Sequence, residues 1–214
     1  ATESDYTLDE TIGTLKITEN TTALVITSST KSWTYDGATH TDEVYTVVYN
    51  GETVAAKEGS EGKVFELPTH DTITITPTAA GVKDYSDSYN ENNTYTYVLT
   101  NADQYTNVTA NVGTLSINRK AVTITAEDAN KPYDGTALTE GGFRATDLEA
   151  GDDHTFTVVM TEDSTITEVG TQPNVIATVD GVAVTTGVET AVGNYLVTTV
   201  NGTLTVTKST KELK

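Results

Sequence analysis

Three histidines, His40, His70 and His154, are the side chains best suited to proton transfer or zinc ligation near neutral pH. Each stands beside Thr or Asp, and none has a second histidine at a ligand spacing such as His-x-x-x-His. No serine or aspartate partner can be assigned to them from spacing. The Gly-x-Ser-x-Gly, P-loop and dinucleotide signatures are absent. With no cysteine there is no thiolate nucleophile, disulfide or Cys-ligated metal. The residues therefore predict a chain that is not an enzyme and has no catalytic, cofactor-binding or metal-binding residues. Acidic clusters at Asp84-Tyr85-Ser86-Asp87, residues 149–153 and residues 162–163 carry oxygens of the kind that hold Ca²⁺. None has the spacing of an EF-hand loop, so Ca²⁺ is an option and a solvated acidic surface the simpler reading.

Two further chemistries are open to this composition. A Lys amine can condense with an Asn side chain when both are buried beside a carboxyl group, and Lys31, Lys120, Asn118 and Asn201 sit near first or last strands. Aromatic side chains can form a platform for sugars. Tyr95 and Tyr97 share a face with Leu99, which points to core, leaving Trp33, Tyr85 and Tyr89 as candidate surface-binding residues.

The elements that must position these groups are strands. Of 214 residues, 46 are Thr and 11 Tyr, with one Met, and β-branched and aromatic side chains favour a pleated surface. Strict alternation recurs in Thr72-Ile73-Thr74-Ile75-Thr76, Thr94-Tyr95-Thr96-Tyr97 and Thr203-Leu204-Thr205-Val206-Thr207. That period of two marks strands with one buried and one wet face, and predicts an all-β chain, antiparallel or mixed. Lys and Arg number 12 against 31 Asp and Glu, a net charge of −19 that repels nucleic acid and anionic lipid headgroups. No apolar run reaches 18 residues, so no helical membrane insertion is expected.

Self-similarity sets the domain organisation. Ala23-Leu24-Val25-Ile26-Thr27 recurs as Ala121-Val122-Thr123-Ile124-Thr125, and Tyr35-Asp36-Gly37 recurs as Tyr133-Asp134-Gly135, both at an offset of 98. A Gly-Thr-Leu strand occurs three times, at Gly13, Gly113 and Gly202, each with a Tyr (Tyr6, Tyr105, Tyr195) seven or eight residues before it. Three endings and two beginnings predict a hairpin remnant of a preceding repeat over 1–20, one repeat domain over 21–119, a second over 120–209 and a tail over 210–214. In each Tyr-Asp-Gly element Asp is expected to bond its own downstream backbone, Gly to take a positive φ, and Tyr to pack across the domain. Asn50-Gly51 and Asn201-Gly202 read as positive-φ hairpin corners. The passage Ser116-Ile117-Asn118-Arg119-Lys120-Ala121 contains no Gly/Ser or Pro-rich linker, so a short stiff joint is expected.

These residues carry a resemblance. Lys131-Pro132-Tyr133-Asp134-Gly135-Thr136-Ala137-Leu138-Thr139, Leu148 with Gly151-Asp152, Val169-Gly170 with Asn174, and Asn194-Tyr195 with Asn201-Gly202-Thr203-Leu204-Thr205-Val206 resemble the YDG/MBG ("mostly β-grasp") repeats of bacterial cell-surface proteins. The first repeat is similar to a companion subtype, marked by Phe65-Glu66-Leu67-Pro68-Thr69, Thr74-Ile75-Thr76-Pro77 and Asn92-Asn93-Thr94-Tyr95. It departs at Lys31-Ser32-Trp33-Thr34, where the family shows a Lys-x-Tyr-like approach, which leaves Trp33 free for a surface role.

The resemblance implies two tandem β-grasp-like domains in an elongated end-to-end array, with immunoglobulin-like sandwiches as the alternative that alternation alone does not separate. It also implies a monomeric, extracellular stalk or spacer in an adhesin of the bacterial surface, cell-wall anchored or secreted. Such a stalk projects a distal binding region, with neighbouring repeats as its partners. A module that itself binds a host glycan or protein through exposed loops is the second expectation.

Overall fold

Alternating Thr and Val/Ile runs cannot bury both faces, and so must pair edge to edge with their apolar sides turned inward. The computed structural model, which describes residues 13, 15–148, 152 and 154–209, shows this arrangement. The 210–214 tail, most of the expected 1–20 remnant and four of the five residues of the 149–153 cluster lie outside the described residues. Among those described the chain is all-β, with two single 3-10 turns, Tyr85–Asp87 and Ala102–Gln104, and no α-helix. None of its helices is long and apolar enough to cross a membrane.

Residues 21–119 carry β1 (Leu24–Ser28), β2 (Lys31–Thr34), β3 (Tyr45–Tyr49), β4 (Glu52–Val54), β5 (Val64–Glu66), β6 (Thr72–Pro77), β7 (Tyr95–Leu99), β8 (Val108–Asn111) and β9 (Leu115–Asn118). Residues 120–209 carry β10 (Lys120–Ala126), β11 (Ala129–Pro132), β12 (Phe143–Thr146), β13 (Val158–Met160), β14 (Gly170–Asn174), β15 (Ile176–Val179), β16 (Val182–Ala183), β17 (Thr190–Val192), β18 (Tyr195–Val200) and β19 (Gly202–Thr207). Contacts gather the chain into two compact units that interleave in sequence. One takes residues 1–27, 45–76 and 96–111, the other 28–44, 77–95 and 112–214.

The first unit holds a sheet in the order β4-β3-β1-β8 and a sheet in the order β5-β6-β7. β1 and β8 run parallel, with Leu24 opposite Val108 and Thr27 opposite Asn111. Its buried side chains are the alternating positions of those strands and their turns, among them Leu24, Ile26, Val47, Phe65, Leu67, Ile73 and Ile75. Removing each from water contributes about 1.5–3 kcal/mol.

The second unit contains the parallel pair β2-β9 and sheets in the orders β12-β10-β18-β17, β11-β19-β14 and β13-β15-β16. β10 lies parallel to β18 and β11 parallel to β19. β1 and β2 thus pair in parallel with β8 and β9, and β10 and β11 with β18 and β19, each pair joined by the long connection that parallel neighbours require. One apolar cluster of this unit joins Tyr35, Val82, Leu115 and Ile117 to Val122, Ile124, Val192, Tyr195 and Val197. The residues on one side of that cluster precede position 119 and those on the other follow it, and Arg119 alone separates β9 from β10.

Asn201-Gly202 is not the positive-φ hairpin corner that its dipeptide predicts. Gly202 is absent from the positive-φ residues, and β18 and β19 belong to different sheets. Close approach of another backbone segment, not a turn, requires glycine there. Asn50 and Gly51 do take the left-handed conformation, at φ 52° and 80°, between the paired strands β3 and β4. Leu15 and Ile17, which match buried Leu115 and Ile117 in the Gly-Thr-Leu pattern, are exposed.

Candidate functional site

The Tyr-Asp-Gly turns are built alike. Asp36 Oδ1 accepts the Ala38 N–H at 2.9 Å and Asp134 Oδ1 the Thr136 N–H at 3.0 Å, while Gly37 and Gly135 sit at φ 77° and 80°. The Tyr35 N–H donates to the Asn118 carbonyl and the Tyr133 N–H to that of Thr207, which ties each turn to a closing strand. The carboxyl of Asp36 is held below the usual range by the Ala38 N–H and by His40, and that of Asp134 by Lys131 and Thr136. The tyrosines then part company. Tyr35 is 8% exposed and meets Tyr195 edge-on at 5.4 Å, whereas Tyr133 is 38% exposed, against the expectation that both pack inward. What covers Tyr35 is the ring of Tyr195, a residue 160 positions away that the turn itself does not supply.

Two asparagines that the sequence places in motifs, with no role assigned, act as matched anchors. Asn93 Nδ2 donates to the carbonyls of Ser29 and Asp42, and Asn174 Nδ2 to those of Glu127 and Glu140. Both asparagines are buried and both pair with a glycine, Gly113 or Gly202. A Cβ on Gly113 would stand 2.0 Å from the Ser29 carbonyl oxygen, and one on Gly202 2.4 Å from that of Glu127, so only glycine fits. A third recurrence is a hydroxyl latch: Tyr105 donates to Asp71 Oδ2 and Tyr195 to Asp152 Oδ2, each at 2.6 Å. Burial, then the Asp71 carboxylate, pushes the Tyr105 hydroxyl up to about 12, and burial with Asp152 raises that of Tyr195. The unequal middle segments set these pairs at an offset of 81 for the asparagines against 98 for the tyrosine turns, so simple alignment hides them.

Within the second unit a polar lock ties Asp84, Tyr85 and Arg119 to Gly193 and Asn194. Asn194 Oδ1 accepts the Tyr85 N–H at 2.8 Å while Asn194 Nδ2 donates to Asp84 Oδ1 at 2.8 Å. The Arg119 guanidinium lies 3.5 Å from the centre of the Tyr85 ring, and its Nε donates to the Gly193 carbonyl at 3.0 Å. Asp87 accepts the N–H groups of Lys83 and Asp84, which hold its carboxyl below the usual range. One carboxylate oxygen of Asp84 is thus taken by Asn194 and one of Asp87 by backbone. Among the described residues no three His, Asp or Glu side chains gather as a metal site would require.

The other candidates are dispersed. Trp33 stacks on His40, with ring centres 4.9 Å apart, and Lys31 lies over it at 5.2 Å. Tyr89 is 66% exposed and Tyr85, beneath Arg119, 41%. Each histidine faces a local carboxylate: His40 with Asp36, His70 with Glu66 and His154 with Asp180. Lys31 pairs with Asp42, and Lys31 and Asn118 occupy opposite ends of the β2-β9 pair, so the Lys–Asn cross-link weighed from the sequence has no facing partners there. Asn201 accepts from Thr186. An open depression of about 610 Å³ beside Thr34, Arg119, Lys120, Asp147, Glu189 and Thr198 mixes cations with carboxylates at its rim. Compared with protein-family models, curated proteins and solved structures, the chain finds no match in any of the three.

Proposed function

We propose that this chain is a non-enzymatic structural segment, a stalk or spacer of tandem repeats in an adhesin of the bacterial cell surface, projecting a distal binding region. The observation that carries the reading is the apolar cluster of the second unit, whose members stand on both sides of position 119 in the sequence. Tyr35 and Ile117 pack in the same cluster as Val122 and Tyr195, and bending at that point has to open buried apolar surface. The acidic surface, at −19, keeps neighbouring stalks apart in an extracellular setting and excludes nucleic acid. The β12-β10-β18-β17 order, with a parallel pair at its centre, supports β-grasp-like units over an immunoglobulin-like sandwich, whose sheets are antiparallel.

Small-angle scattering tests it. The native chain should scatter as an elongated monomer, and a flexible Gly-Ser insertion after Asn118 should broaden its distance distribution; a compact globule overturns the spacer reading. A second reading, in which the segment itself binds a host glycan or protein, is favoured by the exposed ring of Tyr89 alone. Saturable binding on a glycan array, lost in Tyr89→Ala, is the result that would promote it.

A further inference from the structure

We propose that the loop 83–92 is a docking key that reads the residue before the latch tyrosine of the following repeat, so that it docks closely only on a repeat that presents an Asn-Tyr corner. The biological weight of this rests on the tandem-repeat reading above; the contacts themselves lie within one compact unit.

The key is a two-way contact. Asp84 offers an acceptor and Tyr85 a backbone donor, and Asn194 answers both with one short amide, its Oδ1 toward Tyr85 and its Nδ2 toward Asp84. An amide is the side chain that both donates and accepts at that length. Aspartate there would lack the donor and would set a carboxylate against Asp84. Glutamine would carry the same groups one methylene further out. The first repeat has glutamine at the corresponding corner: Gln104 precedes Tyr105, and Tyr105 is matched to Tyr195 by its 2.6 Å hydroxyl bond to an aspartate.

The key itself is also confined to one repeat. Val82 pairs with His40 as Ile166 pairs with Leu138, and Asn93 and Asn174 are the matched anchors that follow. Between them the first repeat has ten residues, including the Tyr85–Asp87 turn, and the second has seven, with no helical turn. A first-type repeat is therefore built to receive an Asn-Tyr corner. The second repeat presents no equivalent key.

The test is a charge-and-amide exchange read by amide hydrogen exchange at Tyr85, a residue 109 positions from the mutated one. Asn194→Asp should speed exchange of the Tyr85 amide by about tenfold, because the Nδ2 bond to Asp84 is lost and two carboxylates then face each other, which eases local opening of the corner. Adding Asp84→Asn should restore it, since the amide introduced at position 84 then donates to the carboxylate introduced at position 194, which still accepts from the Tyr85 N–H. Asp84→Asn alone serves as the folding control. Asn194→Gln should be as fast as Asn194→Asp. Native-like exchange in Asn194→Asp, or a double variant no better than the single, overturns the key; native-like exchange in Asn194→Gln overturns its specificity. A compact scattering profile with the rescue intact would defeat the spacer and spare the key, and a failed rescue with an elongated profile would do the reverse.

Discussion

Tyr35 and Tyr133 open identical turns and meet different surroundings. Their backbones make the same bond to a closing strand, their aspartates accept the same N–H two residues on, and their glycines share one conformation. Yet Tyr35 is 8% exposed and Tyr133 38%. Gly113 and Gly202 present the opposite case: both head the recurrent Gly-Thr-Leu strand, and their surroundings agree closely. A repeated motif thus fixes local geometry, whereas burial depends on the surface that arrives from elsewhere in the chain.

That contrast is most vulnerable at the glycines. Gly113→Ala and Gly202→Ala each press a methyl into a backbone carbonyl, and each should lower stability by about 4 kcal/mol in denaturant titration, at the severe end for point substitutions. Gly37→Ala, left-handed but facing open space, should cost about 1 kcal/mol from backbone strain alone. Equal losses at all three would mean that close approach is not what selects glycine.

Tyrosine truncation comes next. Tyr35→Ala removes a buried ring from the cluster and should cost about 3 kcal/mol. Tyr133→Ala should cost under about 1 kcal/mol, as exposed positions do. Comparable urea midpoints for the two variants would show that Tyr133 is covered in solution.

A weaker effect is alkaline. The Tyr105 hydroxyl ionises at about 12 when folded and near 10 when unfolded, so the folded state holds its proton across that window. Stability from this group is complete below pH 10 and falls as pH rises toward 12. Tyr105→Phe should flatten that part of the pH–stability curve, and an unchanged slope would place the loss elsewhere.

Much of the strand content was legible because alternation reports burial directly: Thr72-Ile73-Thr74-Ile75-Thr76 reads as a strand and forms β6, with Ile73 and Ile75 buried. The Asn50-Gly51 turn was legible for the same local reason. The parallel partnership of opening and closing strands was not, since a buried face does not name its neighbour. Asn201-Gly202 misled because the dipeptide signals a corner, while the constraint on Gly202 is a carbonyl 75 positions upstream. The acidic run at Asp84 left Ca²⁺ open beside a solvated surface because sequence counts oxygens and cannot see that Asn194 and two backbone amides take up one oxygen of Asp84 and one of Asp87.

The parallel alignment of β10 with β18 also bears on tension. A pull that enters at Lys120 and leaves through Val200 draws the two strands along their length in opposite directions, so the rungs from Lys120–Tyr195 to Thr125–Val200 share the load at once in shear. An antiparallel pair held at one end would instead peel rung by rung. The β10-β18 pairing is therefore oriented to resist being drawn out.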